Sequence, residues 1–264
     1  MKPALLAEDD PASRAFLSEA LQLLGWQCEA FETGTAAAQA AIARRFEVLL
    51  LDFNLPDGDG IQYLRMIRNL DSHASSDSPA LALTADDDAL LHARLRNNGF
   101  DAVATKPLSI EQLGQVLTGL GLNPASADRQ DDSRISEAGH GDSGYRAGEV
   151  VAAWEDLPLW DDAAGLATVG NNPAILSSLR ELMLRDLPGQ RDQILADPHS
   201  HEARQHLHRL RAACGFCGAA RLAAAVNALE SALAQPPGSD GPEIRAAVAA
   251  LELCIHQTQA QAPD

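Results

Sequence analysis

The first 120 residues alternate short apolar runs with longer amphipathic segments. The apolar runs predict five strands, at 4–7, 26–31, 47–53, 79–85 and 101–105. The segments between and after them predict five helices, at 12–24, 35–44, 60–69, 87–97 and 109–118, with the helical spacing clearest in Phe16, Leu17, Leu21 and Leu24. Five successive strand–helix units predict a parallel sheet that is covered by helices on both faces.

After about residue 157 the pattern is helical throughout. Four amphipathic stretches, at 172–187, 200–214, 218–235 and 241–258, predict four helices with short connections and hence an antiparallel bundle. Residues 121–156 are rich in Ser, Asp, Gly and Ala and lack apolar periodicity, which is typical of a flexible linker. The sequence therefore predicts an α/β domain over 1–120, a linker over 121–156 and an all-α domain over 157–260.

Composition limits the partners that the protein can have. Its 264 residues suffice for two domains, and 37 acidic against 20 basic residues give a formal net charge of −17. Such a chain repels phosphate backbones, so nucleic-acid binding is not expected. No run reaches the roughly 18 apolar residues of a membrane span. With few, irregularly placed cysteines and an N-terminus that soon becomes acidic, we expect a cytoplasmic protein with reduced thiols and no membrane insertion.

Five chemically active side chains lie at the carboxyl ends of the predicted strands. Glu8 and Asp9 are at the end of the first strand, Asp52 at the end of the third, Thr84 at the end of the fourth and Lys106 at the end of the fifth. Since the carboxyl ends of parallel strands share one edge, these groups should converge. Clustered carboxylates need a cation between them, and an oxygen-rich site suits Mg²⁺. Asp52 could then accept a phosphoryl group that Thr84 and Lys106 hold; the alternative is that these residues only cap helices and fill loops.

Four motifs in this half carry a family resemblance. The segments "AEDDPASR", "LLLDFNLPDGDG", "ALTA" and "TKP" resemble, in order and spacing, the signature of the two-component receiver (response regulator) domain. The resemblance implies a flavodoxin-like, doubly wound, five-stranded parallel sheet. It also implies that Asp52 is the phospho-acceptor in a Mg²⁺ site to which Asp9 contributes directly, Glu8 contributes through water and Asn54 contributes its backbone carbonyl.

The same resemblance assigns the residues that respond to phosphorylation. Thr84 corresponds to the switch hydroxyl, and Lys106, which in this family precedes a cis bond to proline, here Pro107, corresponds to the charge partner of the phosphoryl group. One position departs from the family pattern: the aromatic residue that usually stands three places before the lysine is Val103 here. This departure puts signalling through an aromatic switch in doubt and leaves phosphorylation of Asp52 unaffected.

His208 lies in the second predicted helix of the all-α domain. Relative to Leu207 it is rotated by about 100°, so it lies off the apolar stripe and should face solvent. Arg211 follows one turn later and could neutralise phosphoryl charge, while small residues leave the imidazole unshielded. The stripe itself consists of Ala203, Leu207, Leu210, Cys214 and Cys217.

A metal or redox site is the competing interpretation of this helix, because several histidines precede a C-x-x-C motif. Zinc sites on helices normally use a histidine pair at i and i+4, whereas His206 and His208 point to nearly opposite sides. Cys214 and Cys217 fall on the apolar stripe, and no βαβ context surrounds them. The spacing disfavours zinc and thioredoxin-like chemistry.

The segments "HRLRA", "CGA" and "ALE" resemble the histidine phosphotransfer (HPt) domain over roughly 160–260. His208 corresponds to its phosphorylated histidine. Arg211 replaces the family's lysine and keeps the charge, and Ala212 replaces a glycine and adds one methyl group. The two resemblances together imply two domains that exchange phosphoryl groups.

We therefore expect a phosphorelay protein in which Mg²⁺-dependent transfer links Asp52 and His208, with a histidine kinase, ordinary or hybrid, and other receiver domains as partners. The receiver would promote its own phosphorylation and dephosphorylation without an ATP site. Three alternatives remain open: a module in which phosphorylation controls access to the HPt domain without internal transfer, a scaffold with silent acceptors, and a metal-dependent hydrolase.

Overall fold

The N-terminal domain is built on one parallel sheet. The structure, a computed structural model, describes residues 1–69, 71–122, 156–234 and 242–260, so the predicted linker lies almost wholly outside it. The main strands are β1 (Lys2–Ala7), β2 (Trp26–Phe31), β3 (Val48–Asp52), β6 (Ala80–Thr84) and β7 (Ala102–Thr105). A short hairpin of β4 (Asn54–Leu55) and β5 (Gly58–Asp59) follows β3.

The strand order β2-β1-β3-β6-β7 makes this sheet doubly wound, and every neighbouring pair in it is parallel. Both faces of the central strands are buried, because helices cover each side. The predicted flavodoxin-like sheet is confirmed. The flanking helices are α1 (Pro11–Leu23), α2 (Gly34–Ala43), α3 (Gly60–Arg68), α4 (Ala89–Asn97) and α5 (Ile110–Gly119).

The C-terminal domain is helical, as predicted. Its elements are α6 (Asp162–Thr168), α7 (Pro173–Ala196), α8 (His201–Cys217), α9 (Ala220–Leu233) and α10 (Pro242–Ala260). Consecutive long helices pack against one another, and α10 also packs against α7, which closes a four-helix bundle. No helix in the described ranges is long and apolar enough to cross a membrane.

Helix α7 differs from its prediction. The amphipathic pattern predicts its end at residue 187, but the helix continues to Ala196 with Pro188 inside it. Leu187 and Ile194 are both fully buried on the same stripe, so packing against the bundle continues on both sides of the proline. Burial of this stripe outweighs the backbone hydrogen bond that a proline removes. The short helix α6 was not predicted.

The two domains pack directly against each other. The rings of Phe16 on α1 and Phe216 on α8 have centroids 4.6 Å apart and an interplanar angle of 31°. Both side chains are fully buried and belong to one hydrophobic cluster that runs through both domains. An aromatic pair of this kind contributes about 1 kcal/mol beyond its buried area. The helical domain is therefore docked on the α/β domain, with α1 packed against both α7 and α8.

We expect Phe216→Ala to loosen this docking. Removing a buried phenyl ring costs about 3 kcal/mol or more, and here part of that cost falls on the contact between the domains. Small-angle X-ray scattering of the full chain should give a larger radius of gyration for this variant. Leu253→Ala, at a largely exposed position on α10, is the matched control and should leave the radius unchanged. An unchanged radius in Phe216→Ala would contradict the docked arrangement.

Candidate functional site

Three carboxylates meet at the carboxyl edge of the sheet. Glu8 and Asp9 follow β1, Asp52 ends β3, and their ligand oxygens all lie within 4.8 Å of one another. Glu8 and Asp52 are buried. Since the central strands β1 and β3 are adjacent, the parallel register itself brings these acids together, as the sequence predicts.

Lys106 supplies the positive charge inside this cluster. Its ammonium group donates hydrogen bonds to Asp52 Oδ2 at 2.7 Å and to Glu8 Oε2 at 2.9 Å, and all three side chains are buried. Burial disfavours the charge of Lys106, but the two carboxylates outweigh that penalty and raise its pKa above its usual value. Burial also raises the pKa of Glu8 well above its usual value. The ammonium of Lys106 opposes this shift but does not cancel it, because it is shared between Glu8 and Asp52.

Asp9 is paired across the domain boundary. Its Oδ2 forms an ion pair with Arg209 on α8, 2.8 Å from the guanidinium Nε, whereas its buried Oδ1 has no hydrogen-bond partner among the described residues. Burial raises the pKa of Asp9 to about 6, although Arg209 opposes the shift. A buried carboxylate oxygen without a donor, beside two further carboxylates, fits a hard divalent cation such as Mg²⁺.

Neighbouring residues fix the backbone of this acidic run. Asp10 accepts from the backbone N–H of Ser13 at 2.7 Å and thereby caps α1, so the third acid of the run is structural. Arg14 donates to the backbone carbonyls of both Glu8 and Asp9 at 2.9 Å. These contacts hold the loop so that Glu8 and Asp9 face the site.

The residues assigned to the phosphorylation switch lie on the neighbouring strands. Thr84 is fully buried at the end of β6, and its hydroxyl oxygen accepts from the backbone N–H of Asp86 at 3.1 Å. The Lys106–Pro107 peptide bond is cis, as the resemblance implies. Val103 is half-buried on β7 and packs against the cluster on the α2–α3 side of the sheet. The hydroxyl and the ammonium therefore converge with Asp52, while the aromatic residue of the family pattern is replaced by a small apolar one.

His208 points into this site from α8. Its Nε2 lies 3.2 Å from Asn54 Nδ2 and 3.4 Å from the backbone nitrogen of Ala85, in the loops that follow β3 and β6. The prediction that His208 faces solvent was wrong: it is off the apolar stripe of its own bundle, but the other domain covers that face. Burial lowers the pKa of His208 to about 4, and the nearby charge of Asp52 offsets part of this shift.

Arg211 joins the same contact. Its Nη2 donates to the backbone carbonyl of Ala85 at 2.6 Å and lies 3.4 Å from Nδ1 of His208, while its Nη1 binds Glu230 on α9 at 2.9 Å. The guanidinium thus links the imidazole, the other domain and the neighbouring helix. Its predicted position beside the imidazole agrees with the structure.

The cysteines of α8 are part of the core. Cys214 and Cys217 are buried, and burial raises the pKa of both thiols, the latter to about 12. Thiols held in the neutral form are poor nucleophiles and poor metal ligands. Within the described ranges, the one group of acidic, histidine or cysteine side chains that could hold a metal is Glu8, Asp9 and Asp52.

Sequence reasoning did not identify two residues of this contact: Arg209 pairs with Asp9, and Glu230 anchors Arg211. Gly215 is one of the small residues expected to leave the imidazole unshielded, and it lies against Pro107 of the receiver. Arg209 directly follows the candidate histidine, and its charge was only a weak indication that it contacts an acidic site. Nothing in the sequence pattern specified that its partner is an acid some 200 residues earlier, because contacts between domains have no periodicity.

Comparison with known families accounts for most of the chain. Residues 4–118 match the response regulator receiver domain, and residues 173–261 match the Hpt domain. The chain is a receiver domain followed by an Hpt domain. These domains make it a member of the two-component phosphorelay proteins, and they include every site residue described above.

Individual relatives align with large parts of this chain. The sensor protein GacS of Pseudomonas syringae pv. syringae is 28% identical over 98% of this chain and 27% of its own length. The transcriptional regulatory protein TrcR of Mycobacterium tuberculosis is 34% identical over 69% of this chain and 63% of its own length. The chain thus spans about a quarter of the GacS sensors.

Among solved structures, the receiver domain of the sensor histidine kinase PA1611 from Pseudomonas aeruginosa PAO1 is 28% identical over 45% of this chain and 95% of its own, with a TM-score of 0.40. That structure is described as having a magnesium ion coordinated in its active site cleft.

The buried ion pairs predict a non-additive response to mutation. Lys106→Met leaves Glu8 and Asp52 without their cation, so in the presence of EDTA it should destabilise the receiver by about 3 kcal/mol or more. Adding Glu8→Gln removes one of the two buried charges and should recover part of that loss. Urea unfolding of the full chain, followed by circular dichroism, measures both effects. A double variant less stable than Lys106→Met alone would contradict the assigned pairing.

Proposed function

We propose that this chain passes a phosphoryl group between Asp52 of its receiver and His208 of its own Hpt domain. The observation that carries the proposal is the position of His208 Nε2, which lies within hydrogen-bond distance of the loops after β3 and β6. Asp52 ends β3, and its Oδ1 accepts from the backbone N–H of Asn54, the residue whose side chain faces the imidazole. Donor and acceptor groups of a relay thus face each other in one molecule.

Magnesium is part of the proposal. Glu8, Asp9 and Asp52, together with the backbone carbonyl of Asn54, are the candidate ligands, supported by their clustered oxygens and by the unpartnered Oδ1 of Asp9. When bound, Mg²⁺ supplies charge neutralisation for the oxygens of a phosphoryl group at this edge of the sheet. The net negative charge of three acids and one lysine leaves room for a divalent cation.

In the first step a carboxylate oxygen of Asp52 attacks the phosphorus of a phosphodonor. A new O–P bond forms, the donor's bond to phosphorus breaks, and its electron pair leaves with the donor. Lys106, already bonded to Asp52, stays charged and offsets the added negative charge, while the hydroxyl of Thr84 is available to donate to a phosphoryl oxygen. The product is a mixed anhydride of high transfer potential.

In the second step the lone pair of His208 Nε2 attacks that phosphorus. The N–P bond forms, the P–O bond to Asp52 breaks, and the electron pair returns to the carboxylate. A pKa of about 4 leaves the imidazole neutral near pH 7, with its lone pair available at Nε2 when Nδ1 carries the proton. Arg211 lies beside the imidazole and can hold phosphoryl oxygens. The reverse transfer uses the same groups in the opposite order.

Partners outside the chain complete the relay. We infer a histidine kinase, ordinary or hybrid, and other receiver domains in the cytoplasm, in line with the similarity to the GacS sensors. The faces that carry Asp52 and His208 cover each other here, so an outside partner needs the two domains to separate. Because both domains belong to one chain, they stay at raised local concentration after they separate.

The other interpretations of the sequence have less support. The receiver–Hpt pairing and the similarity to hybrid sensors do not favour a module that controls access without internal transfer. A scaffold whose acceptors are never phosphorylated would not explain why Asp52, Lys106 and His208 converge. A hydrolase of small phosphate esters would need a substrate pocket over the acids, and α8 lies there instead.

Labelling with radioactive acetyl phosphate and Mg²⁺ tests the proposed transfer. The wild-type chain should acquire base-stable label on His208, and Asp52→Ala should lose it, because the imidazole receives its phosphoryl group from Asp52. His208→Ala should retain only the base-labile label of an acyl phosphate. The rate of transfer to His208 should not change when the protein is diluted, since the reaction is internal.

Two results would count against this proposal. Base-stable label in Asp52→Ala would mean that His208 reacts with the donor directly. A transfer rate that rises in proportion to protein concentration would mean that transfer takes place between molecules.

Magnesium dependence gives a separate test. EDTA should abolish labelling of Asp52, and Asp9→Asn should weaken Mg²⁺ binding at least about tenfold, since it removes one full charge from a buried site. Isothermal titration of the full chain with MgCl₂ measures that affinity. Asp71→Asn, at an exposed loop position, is the matched control and should bind like wild type. Equal affinities for Asp9→Asn and wild type would exclude Asp9 as a ligand.

A further inference from the structure

Gly215 has no conformational reason to be glycine. It lies inside α8, two turns after His208, and it is not among the glycines with a positive φ. Glycine in a helix interior costs stability relative to alanine. Another constraint must therefore explain why α8 accepts a glycine at this position.

The neighbour of Gly215 belongs to the receiver. A methyl group at residue 215 would lie 2.3 Å from Cγ of Pro107, 2.8 Å from its Cβ and 2.9 Å from its Cδ, and these are the three nearest atoms. Contacts under 3.0 Å from a Cβ atom do not occur without a shift of one partner. The pyrrolidine ring is rigid, so the clash cannot be relieved by rotating a side chain. The missing side chain creates the space in which the ring lies.

Pro107 is directly attached to the reaction centre. Its neighbour Lys106 binds both Asp52 and Glu8, so the position of Pro107 is fixed relative to the aspartate site. His208 and Gly215 are seven residues apart on one helix, which separates them by about 10.5 Å along its axis. Docking of Pro107 at one end of this segment therefore determines how closely His208 approaches the site at the other end.

We propose that Gly215 is a positioning residue that admits the Lys106–Pro107 loop of the receiver to α8 and thereby sets the docked position of His208. The surface that fits this loop runs along α8 and comprises His208, Arg209, Gly215 and Phe216. Arg209 pairs with Asp9 at the site and Phe216 packs on Phe16, so Gly215 lies between a polar and an apolar contact. The consequence for transfer rests on the proposed internal exchange, whereas the docking surface itself does not.

Gly215→Ala in the full chain tests the proposal, with Gly189→Ala as the matched control. Gly189 is also inside a helix, α7, and a methyl group there would meet nothing within 4 Å among the described residues. Both variants gain the same helix propensity, so the Hpt domain should stay folded in both, with the helical content of wild type by circular dichroism. We expect Gly215→Ala to slow transfer from Asp52 to His208 by about tenfold or more, because adding a methyl group to a packed contact is costly. Labelling of Asp52 by acetyl phosphate should be unchanged.

Hydrogen–deuterium exchange of the unphosphorylated chain provides a readout that does not depend on phosphoryl transfer. In Gly215→Ala, exchange should rise in the receiver segments 84–87 and 106–108, and in Gly189→Ala it should match wild type. If exchange in Gly215→Ala matches wild type, the positioning role is overturned, even if transfer to His208 is slower. If wild type shows no internal transfer but Gly215→Ala still raises exchange, the docking surface stands and the proposed internal transfer fails.

Discussion

Three carboxylates cannot share a buried edge of a sheet without cations to balance them, and the rest of this structure depends on that constraint. The ammonium of Lys106 lies between Asp52 and Glu8, at 2.7 and 2.9 Å, with no more than 5% of any of the three residues exposed. Desolvated charges of this kind interact far more strongly than exposed ones. One lysine still leaves the site acidic, which prepares it for both a metal ion and a second cationic side chain.

That second cation comes from the other domain. Arg209 of α8 binds Asp9, and His208, the preceding residue, thereby faces the loops that surround Asp52. Two adjacent residues of one helix therefore have separate roles: Arg209 balances the acidic charge of the receiver, and His208 lies against the loops around Asp52. Apolar packing between Phe16 and Phe216 completes the contact two turns further on. The charged contact supplies orientation, and the apolar contact removes both phenyl rings from solvent.

The sequence was sufficient wherever a periodic pattern or a strand end determines the outcome. Buried strands and the convergence of Asp52, Thr84 and Lys106 follow from apolar runs and from the geometry of parallel sheets, whereas the strand order followed from the resemblance to the receiver domain. The sequence was insufficient where long-range packing decides. Helix α7 passes through Pro188 because its buried stripe continues, and His208 is half-buried because a face that is polar within its own bundle meets another domain. Binary patterning predicts burial within one domain and does not reveal which polar face will be covered by a second.

The replacement of the switch aromatic by Val103 has a physical consequence for how this receiver can communicate. In the family pattern an aromatic ring moves when the switch hydroxyl binds phosphate, and it carries the change to a distant face. Here the loops after β3 and β6 contact α8 themselves, through Asn54 and through Ala85, which binds both His208 and Arg211. A phosphoryl group on Asp52 would meet these loops and the imidazole at once. These contacts connect the receiver to α8 directly, without passing through the position of Val103.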